Sequence, residues 1–298
     1  MAVSMAVLET NKPQLQVTLN WQSIVCWSVL VALFLCLYAS TLRGLIEDWW
    51  TDPDYSHGIV VPFVVAYIVF RRREVLRQLR IQPRTGLALG AILMSQLIFL
   101  AGYFGAEFFL QRSSIVLFLA GMILLLLGWD YLRHLVLPLF LLELCIPLPA
   151  VLMNQITLPL QLIASSGSEV ILRGCGIPVY RTGNILQMAT QTLNVGEACS
   201  GIRSLVSLVT LAVIMVSFSR THWLARVVFV ASAAGVAIIA NGLRVSGTGL
   251  LGYYLGQRFT VGSWHLMEGW FIFVVAFTML SLELKLIEWF SRDRVKAS

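Results

Sequence analysis

Three residues in this sequence have side chains suited to covalent chemistry and lie near apolar runs. The stretch "NVGEACSGIRSLVSL" (194–208) sets Cys199 between a short acidic and glycine-containing segment and a long apolar run. "IIANGLRVSGTG" (238–249) carries Arg244, and "GSWHLMEGW" (262–270) carries His265. A thiolate is a nucleophile, and a helix N-terminus or a nearby cation lowers a thiol pKa from its usual value of about 8.5. Cys199 precedes an apolar run that reads as a helix, so unpaired N–H groups and the positive dipole end would face it. Glu197, two residues earlier, opposes that effect. His265 could take the thiol proton and later protonate a leaving amine. Arg244 stays charged, and its planar donor fork suits an oxyanion or a substrate carboxylate. Each residue also has a plainer reading: a small buried cysteine, an arginine snorkelling to head groups, and an interfacial histidine beside Trp264.

The elements that must position these residues lie in a membrane. The 298 residues are 58% hydrophobic and only 12% charged, against roughly 45–50% and about 25% in soluble domains. The mean hydropathy is +0.82. The expected fold is therefore an all-α integral membrane protein, a single polytopic domain over 1–298. The net charge of +6 does not indicate nucleic acid, because the basic residues bunch between apolar runs as topology signals do. The first apolar run lacks a small-residue cleavage site and reads as a retained span. Five cysteines, with Cys26 and Cys36 inside that span, do not make a secreted disulfide framework.

A span needs about 20 mostly apolar residues, and eight are expected: 22–42, 56–70, 86–104, 114–129, 134–152, 201–218, 223–242 and 265–284. The second is short, with a kink expected at Pro62. Pro138, Pro147 and Pro149 make the fifth irregular, unwound around "IPLP". With both termini in the cytoplasm, fourteen Lys and Arg fall inside and seven outside, as the positive-inside rule requires. The segment at about 153–200 is then exported. Its first part has apolar residues at helical spacing and is expected to lie along the membrane surface. Its second part alternates and turns at 182–184, a small β-hairpin. Cys199, Arg244 and His265 then all fall at the outer interface, Arg244 at the end of the seventh span.

"GEACSGIRSL", "NGLRV" and "WHLMEGW", together with "DPDYSHGIVVP" (52–62), resemble the motifs of the exosortase/archaeosortase family. These are multi-span membrane cysteine enzymes that process C-terminal sorting tails of exported proteins. The matching segments run in order from about residue 48 to 270. The resemblance implies Cys199 as nucleophile, with Arg244 and His265 as the other catalytic residues. It implies substrates carrying a short motif, a hydrophobic span and a basic cluster (PEP-CTERM-like), cut through a thioacyl-enzyme and passed to an amine or water. Some relatives carry a soluble C-terminal domain. This chain ends just past its eighth span, so it is expected to rely on a separate soluble accessory protein or to need none.

His57, Glu197, Ser200 and Asn241, polar residues of the same motifs, are expected on the substrate-binding side of the site. His57 is the main rival base, whereas His134 and His222 fall on the cytoplasmic side. Cys175 is exported and could in principle pair with Cys199; Cys26, Cys36 and Cys145 read as structural. No Cys or His pair has ligand spacing, and no metal or cofactor is expected. The expected partners are exported proteins with sorting tails and membrane lipid, and the expected place is a bacterial inner membrane with the site on its outer face. The competing reading is a transporter or assembly scaffold for an exported polysaccharide. Transporters commonly show internal repeats and midplane polar residues, whereas here the polar residues gather at one edge.

Overall fold

The computed structural model describes residues 21–198, 201–219, 221–256, 258 and 263–297. Helix α1 (Trp21–Thr51) leads through a single 3-10 turn (Ser56–Ile59) to α2 (Val61–Arg71) and the short α3 (Arg73–Gln78). A hairpin of α4 (Thr85–Phe104) and α5 (Phe108–Leu126) follows, then α6 (Trp129–Glu143) and α7 (Ala150–Gly174). Strands β1 (Val179–Thr182), β2 (Ile185–Met188) and β3 (Thr192–Asn194) lead to α8 (Val195–Ala198), α9 (Ile202–Phe218), α10 (Trp223–Leu255) and α11 (Ser263–Ala297). Among the described residues, four helical stretches are long and apolar enough to cross a bilayer: Thr85–Phe104, Phe108–Leu126, Trp223–Leu255 and Met267–Ser291. Shorter apolar helices accompany them at Val61–Arg71 and Ile202–Phe218. The chain is a mostly helical membrane protein.

Several local expectations are corrected. Pro62 does not kink α2. It sits in the first turn, where its missing N–H would have had no helical partner. The fifth predicted span is unwound around "IPLP" as expected, but the break separates two helices, with α6 ending at Glu143 and α7 starting behind Pro149. The intervening backbone is held by aromatic side chains. Trp49 Nε1 donates to the Cys145 carbonyl at 2.8 Å, and Leu148 N–H donates to the Tyr55 hydroxyl at 3.0 Å. Broken backbone at membrane depth must find such partners.

The helix expected over the first part of the 153–200 segment is α7. It packs along α10, burying Ala164, Ser165, Ser168 and Leu172, and Ser168 Oγ donates to the Gly242 carbonyl at 3.0 Å. The predicted hairpin is the first two strands of a three-stranded antiparallel sheet, β1-β2-β3. Gly183 (φ 64°) takes the first position of its two-residue turn, where a positive φ suits the strand twist. Alternation puts Val179, Leu186, Met188 and Leu193 on one face, packed with Leu172 of α7 and Val245 of α10. The sheet is thus clamped onto α7 and α10. Glu169 of α7 reinforces it through ion pairs to Arg173 (2.7 Å) and Arg181 (2.9 Å).

The largest correction concerns α10. It does not end near residue 242 but continues to Leu255. Glycines that read as a helix end serve as contact points: Gly249 meets Leu172, and Gly252 meets Gln191. Small residues let helices in lipid approach closely. Below this level α9, α10 and α11 share a core rich in alanine, with Ala212, Ala233, Ala237, Ala240 and Ala276 packed around Leu208, Phe229 and Leu280.

Candidate functional site

The sheet delivers the chain to the site. Leu193 and Val195 are buried beneath it, α8 follows, and α9 begins at Gly201. Cys199 and Ser200, between α8 and α9, lie outside the described residues. Gly201 adopts φ 77°, a left-handed conformation that suits glycine. It also sits hard against α10, since a β-carbon there would lie 2.8 Å from Asn241 Nδ2. The residue two positions after Cys199 is therefore fixed both by its backbone conformation and by Asn241.

Asn241, Arg244 and Thr248 follow one another at three and four residues on α10, so they share a helix face. Arg244 thus lies inside a long helix, not at its end. A β-carbon on Gly269 of α11 would lie 3.3 Å from Arg244 Nη2, so the guanidinium rests on the space this glycine leaves. His265 is placed by its backbone in the first turn of α11, four residues before Gly269. Glu197 is likewise placed by its backbone, in α8. The Cys199, Arg244 and His265 motifs thus approach one junction, through Gly201 against Asn241 and Arg244 against Gly269.

Glu268 at this junction was not singled out from the sequence. Its Oε2 accepts a 2.7 Å hydrogen bond from Thr248 Oγ1, and a β-carbon on Gly247 would lie 2.8 Å from its Oε1. An acidic residue three positions after His265, in an otherwise apolar run, was the available signal.

His57 stands apart. Its 3-10 turn packs against α1 and α2, and its ring lies 6.2 Å from that of Tyr55. Gly58 packs directly on the Trp49 indole. Neither ring nitrogen of His57 has a hydrogen-bond partner among the described residues. Burial pushes the imidazole pKa below its usual 6.5, outweighing the backbone of Leu144 and Asp54, which favours the protonated ring. The segment is still tied to α9, because Asp54 accepts from Arg203 Nε at 2.9 Å, near the start of that helix.

Cys175, at the C-cap of α7, is a free, exposed thiol, and Cys145 is free and buried. An open groove of about 640 Å³ runs beside β1, lined by residues including Arg173, Ile177, Tyr180 and Gln187; neither Asn241 nor Arg244 contributes to it. Asn241 and Gly201 instead line a narrow crevice with Leu160, Leu205, Ala237 and Ile238, where α7, α9 and α10 meet.

No curated protein and no solved structure matches the chain. A family model describing the transmembrane exosortases matches residues 49–282. That range holds the 3-10 turn with His57, the three-stranded sheet and the α9–α10–α11 junction. The chain belongs to the transmembrane exosortase family.

Proposed function

We propose that the protein is a membrane-embedded cysteine endopeptidase/transpeptidase that cleaves the C-terminal sorting tails of exported proteins. The whole chain acts as one polytopic domain, crossing the membrane eight times with both termini in the cytoplasm and the site on the outer face. The observation that carries the reading is the junction just described, in which Asn241 meets Gly201 and Arg244 meets Gly269. It gathers three sequence-distant motifs whose residue types suit acyl transfer.

In this reading Cys199 Sγ attacks the carbonyl at the cleavage point while His265 holds the thiol proton. Arg244 stabilises the oxyanion, because a fixed charge where charge develops lowers the barrier. His265 then protonates the leaving amine. The C–N bond breaks, the tail departs with its new amino terminus, and the thioacyl-enzyme is resolved by an amine acceptor or water. Asn241, Glu197, Ser200 and His57 shape the substrate side. The apolar span and basic cluster of the tail suit recognition within and beneath the bilayer.

The test is Cys199→Ala in the native host, following an exported protein that carries a C-terminal span and a basic tail. Build-up of the longer, membrane-held precursor at unchanged enzyme level is expected. Normal maturation of every such tail would overturn the reading in favour of the polysaccharide scaffold.

A further inference from the structure

We propose that the free edge of β1 is a docking strand for an extended, acidic segment of the exported protein, which adds to the sheet as a fourth strand. The inference rests on the sorting-tail reading above and says where the polypeptide beside the cleavage point is held.

The register decides which backbone groups face outward. Bonded and non-bonded pairs alternate along an antiparallel ladder. The two-residue turn makes Thr182 and Ile185 a bonded pair, so Tyr180 and Gln187 form the next one. Val179 and Arg181 lie opposite Met188 and Leu186 as the non-bonded pairs. Neighbouring contacts agree. The Val179 carbonyl accepts from Arg173 Nε (3.3 Å) and Nη2 (3.2 Å), and the Met188 N–H donates to the Gln191 carbonyl at 2.9 Å. The Val179 N–H and both backbone groups of Arg181 therefore point away from β2, and no hydrogen bond to them is found among the described residues. Since β1 is an outer strand of the order β1-β2-β3, these groups are a template for another strand. Hydrocarbon cannot satisfy them, so the edge faces water or a polypeptide.

Charge and position choose the occupant. The open groove along this edge is lined by residues including Arg173, Ile177, Tyr180 and Gln187, and the Tyr180 ring is 66% exposed beside the unpaired backbone. Arg173 and Arg181 share one carboxylate, Glu169. The edge is left with net positive charge, which favours a peptide carrying Asp or Glu. Pairing two copies of β1 would instead set like charges against each other, which is unfavourable. The sheet also leads to the site, because β3 ends at Asn194, five residues before Cys199. A strand added to β1 lies three strand spacings, about 14 Å, from β3. About four extended residues cover that distance, so the docked segment and the cleavage point belong to one short stretch of chain.

The experiment is photo-crosslinking in the native host. The photoreactive residue p-benzoylphenylalanine replaces Tyr180 in the full-length protein, in the Cys199→Ala background that retains uncleaved precursor. The same probe at Phe104, also exposed, is the control, and adducts are identified by immunoblotting and mass spectrometry. An adduct between position 180 and the precursor is expected, mapping to its exported residues beside the tail and absent from the control. Arg181→Ala and Arg181→Pro both remove the ion pair to Glu169, but only proline removes the outward N–H, a loss that an edge strand tolerates. Arg181→Pro should lower the adduct about three- to tenfold below Arg181→Ala, the worth of one backbone hydrogen bond. Equal adducts in the two variants would overturn edge pairing. Should Arg181→Pro fail to accumulate, Arg173→Glu decides: reversing the charge beside the groove must weaken the adduct. An adduct at twice the mass of this chain, with a second copy, would overturn the occupant. If precursor accumulates and position 180 captures none of it, the docking strand is overturned while the cleavage reading stands. If no precursor accumulates, the cleavage reading falls and the docking strand with it.

Discussion

Arginines occupy two different helix junctions in this molecule, and their settings differ. Where α2 and α9 end and α6 begins, Arg72 donates to the carbonyls of His134 (2.7 Å) and Ser217 (3.4 Å). Close by in sequence, Arg226 donates to the carbonyls of Thr221 (2.9 Å) and Ser219 (3.0 Å), and Ser219 bonds Glu288 of α11. These guanidinium groups satisfy carbonyls that the helices leave over, a structural task. Those carbonyls are Ser217 and Ser219 at the end of α9, Thr221 in the link to α10, and His134, whose partner four residues on is Pro138 with no N–H. Arg244 lies mid-helix, where α10 already satisfies its own backbone. Its charge rests on a glycine beside a junction that also holds Asn241 and Glu268. The same residue type satisfies carbonyls between helices in one place and lies beside a junction of three sequence motifs in the other.

Substitution should separate the two classes. The largest effect is expected from Arg244→Ala, which should slow tail processing by about 10²–10³-fold, the scale for loss of an oxyanion donor. The protein should still accumulate, as quantitative immunoblotting of membranes would show. Arg72→Ala should do the reverse. Losing charge-assisted hydrogen bonds to helix carbonyls should cost about 1–3 kcal/mol of stability, read as a lower melting temperature in detergent, with processing per folded molecule retained. If both variants lose stability and keep specific activity, the contrast collapses.

A finer test bears on how the junction is built. Gly201→Ala introduces a side chain at φ 77° and 2.8 Å from Asn241. Left-handed backbone alone costs roughly 1–2 kcal/mol, so melting should fall by that amount, and processing should fall further than melting if Gly201 aims the nucleophile. Asn241→Ala in the same background should recover part of the loss by opening space.

The smallest effect concerns pH. With its folded-state pKa below 6.5, His57 binds fewer protons folded than unfolded once the pH drops below 6.5. Stability is unaffected above that value and declines with acidification until the folded-state pKa is reached. Thermal melts between pH 7.5 and 5, at intervals of about half a unit, should show a decline that His57→Gln flattens. An unchanged slope in the variant would remove His57 from this role.

Much of the architecture was legible because lipid imposes a severe rule: backbone polar groups must be satisfied internally, so long apolar runs become helices. The break after Glu143 was readable from Pro147 and Pro149, and the strand turn from Thr182-Gly183-Asn184. The continuation of α10 was not. Its run of glycines looks like a helix end by propensity, yet in a packed bundle those glycines receive Leu172 and Gln191 from other elements. The third strand was missed because three residues are too few for alternation to register, and Thr192–Asn194 is defined by pairing with β2.

The sequence by itself determined the membrane class, the motifs and the chemical types of Cys199, Arg244 and His265, because those depend on composition and on local order along the chain. Only the tertiary structure decided that Arg244 meets Gly269, that Asn241 braces Gly201, and that Thr248 anchors Glu268. Those contacts join residues 20 to 40 positions apart. They depend on how closely α10 approaches α9 and α11, a distance set by small side chains in three dimensions and not by the period of any one helix.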